Sequence, residues 1–352
     1  MPNVKISVIM PVYNVRNYVG KAIESIQRQT FPEWEFLIVD DGSTDGSGTI
    51  CDQYAKVDTR IHVMHKENGG APSARNFAMN SAVGKYFYFI DADDWVEPKM
   101  LQDMYSLAEK YNSQLTITGF YIDTYYSNTK KFIQKQSVQS MNFLTKDEFH
   151  RNAYRLFDQN LLYTPWNKLY LADYIKSNKI VFPDTFWDDF PFNLTVIRDV
   201  ERVCITSHCY YHFVRKRAES ETARYRSDMY QKREDEHQWL LNLYKYWNIH
   251  DKASYEFLAR RYIERLIGCV ENVTNSDCNL QKAKKKIAVE KMINSSNAVA
   301  AVKIAKPRSA YMKAMLAPVR WKNTELTFLE GCFISKVRSK NTKLFAKLKA
   351  NR

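Results

Sequence analysis

The chain has 352 residues, of which 45% are hydrophobic and 26% charged, and its formal net charge is +13. That length accommodates two or three domains with a sizeable core. No segment reaches the ~18 to 20 apolar residues of a membrane span, and Met1–Ile6 leads directly into the first predicted strand, so we expect a protein that is neither secreted nor integral to a membrane. The six cysteines lack Cys-x-x-Cys or zinc-ligand spacing and are predicted to be reduced thiols in the cytoplasm.

Short apolar runs alternate with segments of helical spacing over the first third of the chain. The runs are rich in β-branched and aromatic residues and are predicted strands: Lys5–Val12, Glu35–Val39, Ile61–His65 and Tyr86–Ile90. The intervening segments are predicted helices: Val15–Gln29, Asp45–Val57 and Ala71–Val83. This alternation predicts parallel strands joined by right-handed crossovers, with helices on both faces of the sheet.

A polar loop follows each of the four predicted strands. The loops are Pro11–Asn14, Asp40–Asp45, Asn68–Asn76 and Asp91–Asp94. In open parallel sheets ligands bind beyond the carboxyl ends of the strands. We therefore expect all four loops to line one pocket.

The fourth loop places Asp91, Asp93 and Asp94 directly after an apolar strand. Alternate carboxylates at a strand end can converge on Mg²⁺ or Mn²⁺, which take oxygen ligands and bridge to substrate phosphates. The alternative is a solvated turn that caps the next helix.

The second and third loops carry groups suited to a nucleotide. Asp40 and Asp41 could accept hydrogen bonds from a base or ribose, and Arg75 offers a planar fork to a diphosphate. Asp40 could instead serve the turn, and Arg75 could be an exposed helix charge. A glycine-rich dinucleotide fingerprint and a P-loop are both missing from the sequence, which disfavours oxidoreductase and P-loop functions.

As an ordered set, these motifs resemble the inverting glycosyltransferases of family 2, in particular those of bacterial surface-polysaccharide and teichoic-acid synthesis. The segments that carry the resemblance are Ile6–Asn14, Ser25–Thr30, Val39–Asp45, Ala74–Asn76, Gly84–Tyr86 and Asp91–Asp94. The resemblance implies the α/β GT-A fold, a Rossmann-like and mostly parallel sheet with helices on both faces. It also implies a UDP-sugar donor bound across the strand ends and Mn²⁺ or Mg²⁺ as cofactor.

The family's nucleotide-sugar site corresponds to eight positions of this sequence: Pro11, Val12, Tyr13, Asn14, Asp41, Arg75, Asp91 and Asp93. By the resemblance, the first three line the base pocket and Asp41 hydrogen-bonds the base. Arg75 lies near the diphosphate. Asp91 and Asp93 form the Asp-x-Asp motif, with Asp93 as the principal metal ligand.

The resemblance also implies a general base in a later segment, Phe182–Pro191. Family members commonly have an acidic pair there, and this chain has Asp188 and Asp189. By that alignment Asp189 is the base and Asp188 the fallback, since inversion needs a carboxylate on the sugar face opposite the leaving diphosphate. The alternative is that both acids cap the predicted helix Phe190–Ile197, whose N-terminus favours negative charge.

Four further residues are candidates at the acceptor and metal sites. Trp166 and Trp187 could stack on sugar rings or pack in the core, and Lys168 lies beside Trp166 in sequence. His212 follows a strand-like stretch, where related enzymes often carry a basic or histidine residue near the diphosphate. It is interpreted either as a third metal ligand or leaving-group contact, or as a structural histidine.

The positive charge is concentrated near the C-terminus. Residues 282–352 contain 18 Lys and Arg against 3 acids, a net charge of +15, whereas residues 1–281 contain 34 against 36, a net charge of −2. Lys284–Ala288 and Val337–Lys349 mix cations with apolar residues at helix-like spacing. Such segments suit an anionic membrane surface, at about 1 kcal/mol for each Lys or Arg close to it. The alternatives are a solvated helix face or nucleic acid; the latter is disfavoured because no nucleic-acid-binding motif accompanies the charge.

Three parts are predicted: a nucleotide-sugar-binding half at 1–110, an acceptor-binding and catalytic-base part at 111–220, and a helical, basic region at 221–352. Helical spacing in the last part is clearest over Asp228–Trp247 and Ser254–Val273.

The sequence therefore predicts a cytoplasmic transferase, peripheral at the inner face of the cell membrane. It would move a hexose or N-acetylhexosamine from a UDP-sugar to a glycan, lipid-linked or anionic polymer acceptor. The alternatives are a metal-dependent nucleotidyltransferase and an inactive module that binds sugar nucleotides or glycans.

Overall fold

The computed structural model describes residues 4–126, 130–185, 187–216 and 225–340, without the side chains of 216 and 338–340. It divides the chain into two compact units. The first unit comprises Met1–Thr124 and Lys131–Arg215, and the second comprises Tyr125–Lys130 and Lys216–Arg352. All six cysteines are free thiols.

Ten strands form one sheet within the described residues. They are β1 Ile6–Val12, β2 Trp34–Asp40, β3 Ile61–His65, β4 Tyr86–Phe89, β5 Trp95–Val96, β6 Leu115–Tyr125, β7 Lys131–Gln136, β8 Met141–Phe143, β9 Lys168–Leu171 and β10 Val203–Lys216. Their order is β3-β2-β1-β4-β9-β6-β10-β5, with β7 paired to β6 and β8 paired to β10.

Seven helices accompany these strands in the described part of the first unit. They are α1 Val19–Gln27, α2 Ser47–Val57, α3 Gly70–Ser81, α4 Met100–Lys110, α5 Lys146–Asp158, α6 Ala172–Ser177 and α7 Asp189–Asp199. The predicted alternation over the first four strands is confirmed. Helix α1 begins later than predicted because Asn14 adopts a left-handed φ of 51° and the Val15 amide donates to Ser47 Oγ instead of starting a helix.

The sheet is parallel in its first four strands and antiparallel where β9 enters it. β1 pairs in parallel with β2 and β4, and β2 with β3. β9 pairs antiparallel with both β4 and β6. The mostly parallel arrangement expected from the sequence therefore describes one half of a mixed sheet.

Aromatic packing brings a later segment under the end of β4. All four residues of β4 are buried, and Phe89 makes edge-to-face contacts with Tyr170, Phe182 and Phe192. Each such pair contributes about 0.5–1.5 kcal/mol beyond its buried area. Because Phe192 belongs to α7, these contacts fix the N-terminus of α7 beside the loop that follows β4.

The described part of the second unit is helical outside its short N-terminal segment. Its helices are α8 Met229–Tyr246, α9 Lys252–Val273, α10 Lys282–Ile293, α11 Ser296–Ile304, α12 Ala310–Arg320 and α13 Thr324–Lys340. The two helices predicted there correspond to α8 and α9. Among the described residues, no helix combines the length and apolar character needed to cross a bilayer. Most of the basic segment Val337–Lys349 lies outside the described residues.

Candidate active site

Arg75 connects three carboxylates that lie far apart in the sequence. Its Nη2 donates to Asp91 Oδ1 at 2.8 Å, and its Nη1 donates to Asp188 Oδ2 at 2.8 Å. The same Nη1 lies 3.1 Å from Asp189 Oδ1. Arg75 projects from α3 and is only 4% exposed. The loop after β4 and the N-terminus of α7 therefore meet at one guanidinium, which we call the Arg75 cluster.

Charge within the Arg75 cluster is set by burial and by the close carboxylates. Burial opposes the charge on Arg75, but the carboxylates, Asp189 foremost, outweigh burial and raise its pKa. Burial raises the pKa of Asp189 to about 7, while Arg75 pulls that pKa down and Asp188 and Asp91 push it up. Burial likewise raises the pKa of Asp188. A carboxylate with a pKa near neutrality is suited to act as a general base.

The carboxylates of the Asp-x-Asp loop differ in their surroundings. Asp93 is exposed at the surface. Desolvation by the surrounding protein atoms raises its pKa to about 6, and the negative charge of Asp91 adds to this rise. Asp94 is buried and accepts hydrogen bonds from Tyr211 Oη at 2.6 Å and from the Val214 amide at 2.7 Å. Asp94 therefore anchors β10 beneath the loop, and Asp91 and Asp93 remain as the carboxylates available to a ligand.

A divalent cation fits the donor chemistry of Asp91 and Asp93. Within the described ranges no three His, Cys, Asp or Glu side chains are grouped to hold a metal ion. Mg²⁺ is commonly bound by one or two carboxylates, with substrate phosphates and water as its other ligands. The carboxylates of Asp91 and Asp93 supply two hard oxygen donors, which matches the protein's share of that pattern.

Asp41, in the loop after β2, lies against the N-terminus of α3 and is held by contacts within the protein. Its carboxylate is buried and accepts from Lys66 Nζ at 2.6 Å and from the Gly70 amide at 2.7 Å. The Gly69 amide donates to it as well, at 3.1 Å. Gly70 has a φ of +84°, which glycine adopts without steric cost.

The loop after β1 exposes one aromatic ring. Tyr13 is 52% exposed, whereas Val12 is buried and Pro11 partly buried. Asn14 Oδ1 accepts from the Thr44 amide at 2.9 Å, so Asn14 ties this loop to the loop after β2. The arrangement leaves the Tyr13 ring accessible at the carboxyl end of β1.

Two of the predicted acceptor residues lie in the core. Trp166 is 3% exposed and stacks on Tyr211 with ring centroids 4.1 Å apart. Lys168 is fully buried, and its Nζ donates to Thr164 O at 2.5 Å and to Asn167 Oδ1 at 2.9 Å. Burial leaves neither side chain accessible to an acceptor. Trp187 is partly exposed, directly before Asp188, with a left-handed φ of 64°.

His212 is engaged away from the carboxylates of the Asp-x-Asp loop. Its Nδ1 lies 3.2 Å from Asp123 Oδ2 and its Nε2 lies 3.1 Å from Glu97 Oε1. Its ring stacks on Trp95 with centroids 3.6 Å apart. Because both ring nitrogens have carboxylate partners, this geometry fits the structural interpretation rather than a third metal ligand or leaving-group contact.

Sequence reasoning missed two residues that build the site. Lys66 follows β3 at the carboxyl edge of the sheet, and that position was a usable signal for its contact with Asp41. Tyr211, which hydrogen-bonds Asp94, carried no signal, because its role depends on β10 entering the sheet next to the Asp-x-Asp loop.

Comparison with protein families matches most of the first unit to a known family. Residues 7–178 match the model for glycosyl transferase family 2. They form a family 2 glycosyltransferase domain. The match covers both the Asp-x-Asp loop and Arg75 and ends before Asp188, so the acidic pair lies just beyond the matched region.

Proteins similar to this chain include two bacterial glycosyltransferases. The uncharacterized glycosyltransferase EpsJ of Bacillus subtilis is 34% identical over 200 residues, which are 56% of this chain and 57% of EpsJ. The poly(ribitol-phosphate) β-N-acetylglucosaminyltransferase TarS of Staphylococcus aureus is 28% identical over 220 residues, which are 60% of this chain and 36% of TarS. The chain thus spans little more than half of EpsJ and about a third of TarS.

Solved structures show that the fold is shared. Residues 1–349 of TarS in complex with UDP-GlcNAc align with a TM-score of 0.64 at 20% identity, covering 96% of this chain and 92% of that one. A mannosyltransferase of Pyrobaculum calidifontis in complex with GDP-Man and Mn²⁺ aligns with a TM-score of 0.50 at 16% identity, covering 96% of this chain and 88% of that one. The fold is that of GT-A glycosyltransferases.

Proposed function

We propose that this protein transfers a hexose or N-acetylhexosamine from a UDP-sugar to a hydroxyl group, with inversion, in bacterial cell-surface polymer synthesis. The acceptor would be a glycan, a lipid-linked sugar or a polyol phosphate. The observation that carries the proposal is the Arg75 cluster, in which one guanidinium contacts both the Asp-x-Asp loop and the acidic pair of α7. An inverting transfer needs these two groups at one site.

In this proposal Asp189 is the general base. Its carboxylate takes the proton of the acceptor hydroxyl while that oxygen forms a bond to the anomeric carbon. The bond from that carbon to the diphosphate oxygen breaks, and UDP leaves with the electron pair. The pKa of Asp189, about 7, suits a group that must accept a proton at neutral pH.

Asp93 and Asp91 would hold Mn²⁺ or Mg²⁺, and the bound ion would supply positive charge against the diphosphate. Arg75 has the fork geometry of a phosphate ligand, and its position against Asp91 puts that fork beside the proposed diphosphate site. Tyr13, with its exposed ring, would stack on the base. Asp41 lies at the same edge of the sheet, with its carboxylate bonded to Lys66 and to the Gly69 and Gly70 amides, and would contact the base.

We propose the cytoplasmic side of the cell membrane as the location. The six free thiols and the net charge of +15 over residues 282–352 support this location. UDP-GlcNAc, which TarS binds, is one donor to test first.

A UDP-release screen tests the proposed function. The purified protein with Mn²⁺ or Mg²⁺ is given UDP-glucose, UDP-galactose, UDP-GlcNAc or UDP-GalNAc, with Asp93→Ala as the control. Slow hydrolysis of one donor, lost in the variant, is the expected result. Release of pyrophosphate instead of UDP would indicate nucleotidyl transfer. No release from any donor, together with no UDP binding by calorimetry, would overturn the proposal.

A further inference from the structure

Four of the large apolar side chains exposed in the second unit lie on α10, on α13 or directly after α12. Trp321 is 70% exposed, Phe333 65%, Ile287 64% and Leu329 57%. Single exposed apolar residues are normal on soluble proteins, but a group on adjoining elements marks an interaction surface.

These side chains lie on helices that contact each other. Lys286 of α10 donates to Glu325 of α13, with Nζ 2.5 Å from Oε1, so the two helices are neighbours. Leu329 and Phe333 are four positions apart on α13 and share one face. Trp321 ends α12, three residues before α13 begins.

The opposite face of α13 is fixed against the core. Phe328 and Ile334 are buried there. Gly331 lies so close to α9 that a Cβ at this position would be 2.9 Å from Thr274 Oγ1. The helix therefore cannot rotate to bury Leu329 and Phe333 without breaking this packing.

Lysines outnumber acids around the exposed apolar residues, where Glu290 and Glu325 are the exposed acids at helical spacing from Ile287 and Leu329. Lys284 and Lys291 flank Ile287 at helical spacing on α10, and Lys336 follows Phe333 by three positions on α13; all three lysines are exposed. From residue 282 to residue 340 the chain contains 14 Lys and Arg against 3 acids. Exposed Trp, Phe and Leu side chains with an excess of lysine beside them are typical of proteins that lie on an anionic lipid interface.

We propose that the second unit docks on an anionic lipid bilayer through this surface, the lipid-facing patch. It is defined by Lys284, Ile287, Lys291, Trp321, Leu329, Phe333 and Lys336. The inference rests on the proposed function, since a transferase that uses a lipid-linked or membrane-bound acceptor works at a bilayer. It deepens that function by naming the partner and the residues that meet it.

Other occupants fit the lipid-facing patch less well. A second copy of the chain, related by a two-fold axis, would bring the same lysines against each other. A soluble polyanion would neutralise the lysines but leave Leu329 and Ile287 in water. A bilayer of anionic lipids satisfies both the charges and the apolar side chains, because the headgroups meet the lysines and the acyl boundary takes the apolar side chains.

Vesicle flotation tests the lipid-facing patch without any sugar donor. The 352-residue chain is expected to float with phosphatidylglycerol vesicles and not with phosphatidylcholine vesicles. Leu329→Ser combined with Phe333→Ser is expected to lower binding by on the order of tenfold, because the apolar contacts with the acyl boundary are lost. Val57→Ser combined with Val83→Ser is the matched control, since both valines are highly exposed in the first unit.

A second pair of variants separates local charge from net charge. Lys284→Gln, Lys291→Gln and Lys336→Gln together are expected to weaken flotation. Lys56→Gln, Lys99→Gln and Lys146→Gln remove the same charge from exposed positions of the first unit and should leave flotation nearly unchanged.

Three results would overturn the inference. They are binding to neutral vesicles as strong as to anionic ones, no effect of the Leu329 and Phe333 substitutions, and a dimer in light scattering that those substitutions dissociate. UDP release by the same variants is measured in parallel without vesicles. If the wild-type protein releases no UDP, the proposed function fails, but the flotation result still decides whether the patch binds lipid.

Discussion

Arg75 Nη1 lies 2.8 Å from Asp188 Oδ2, although 113 positions separate the two residues in the chain. This contact, with those to Asp91 and Asp189, joins α3, the loop after β4 and α7. The guanidinium is the one partner that all three carboxylates share in the contacts described above. Its removal should therefore change the protonation of the acids as well as their positions.

Arg75→Gln is expected to shift the rising limb of the pH profile of kcat/KM to higher pH. Arg75 holds the pKa of Asp189 down, so its loss raises that pKa and leaves less of the base unprotonated at a given pH. UDP release measured across pH checks this. A purely structural defect would lower the rate at every pH without moving the midpoint, and Arg28→Gln, at an exposed position, is the control.

Asp189→Asn is expected to lower kcat by about 10²–10⁴, the range for loss of a general base, while UDP-sugar binding persists. Acceptor-dependent transfer and calorimetric donor binding measure the two effects separately. Asp184→Asn, at an exposed site in the same segment, serves as the control. Unchanged transfer by the Asp189 variant would reject Asp189 as the general base and favour Asp188 in that role.

Asp93→Ala is expected to abolish the stabilisation that UDP and Mn²⁺ together give the wild-type protein. A ligand at 100 times its Kd stabilises the folded state by about 2.7 kcal/mol, which thermal unfolding detects readily. Chelation of the metal should have the same effect on the wild-type protein. Asp173→Ala, which removes an exposed acid, should retain the response.

Tyr211→Phe is expected to destabilise the fold by about 1–3 kcal/mol, because the buried carboxyl group of Asp94 loses its 2.6 Å partner. Urea unfolding measures this. Tyr255→Phe, which removes an exposed hydrogen bond to His250, should cost much less. Equal losses in the two variants would contradict the anchoring role given to Asp94.

His65 is expected to stabilise the fold more in mild acid than in alkali. Hydrogen bonds to Asp40 and Asp52 raise its pKa above 6.5, so its contribution is present in full below that pH and is lost as pH rises through the folded-state pKa. The stability difference between wild type and His65→Gln should therefore be larger at about pH 5.5 than at about pH 8.5. His62→Gln, at an exposed position of the same strand, is the control substitution.

Local patterns predicted the first four strands and the loops at their ends. Each of those elements is encoded by neighbouring residues, as in Tyr86–Phe89 followed by Asp91. Patterns could not show that β9 inserts beside β4, because Lys168–Leu171 is short and its pairing is non-local. That unseen pairing is also why the sequence could not decide between an acceptor contact and core packing for Trp166, or show that Lys168 is buried.

The candidate site shows the same difference between local patterns, which the sequence reveals, and long-range contacts, which it does not. Asp91, Asp93 and Arg75 were selected from loop position, and the structure brings Asp91 and Arg75 into contact. The engagement of His212 with Glu97 and Asp123 was beyond sequence reasoning, since it joins three segments distant in the chain. A histidine's role depends on which groups face its two nitrogens, and spacing alone does not reveal them.

The insertion of β9 has a consequence for synthesis on the ribosome. Until residue 171 has been made, β4 lacks its partner on one side, and its aromatic residues form an unprotected sheet edge. At a synthesis rate of about 5–20 residues per second, that edge stays unpaired for several seconds before β9 is made. A fragment that ends near residue 110 would keep it permanently and is expected to aggregate. The proposed donor site is therefore completed only when the segment with the proposed general base, Asp189, leaves the ribosome.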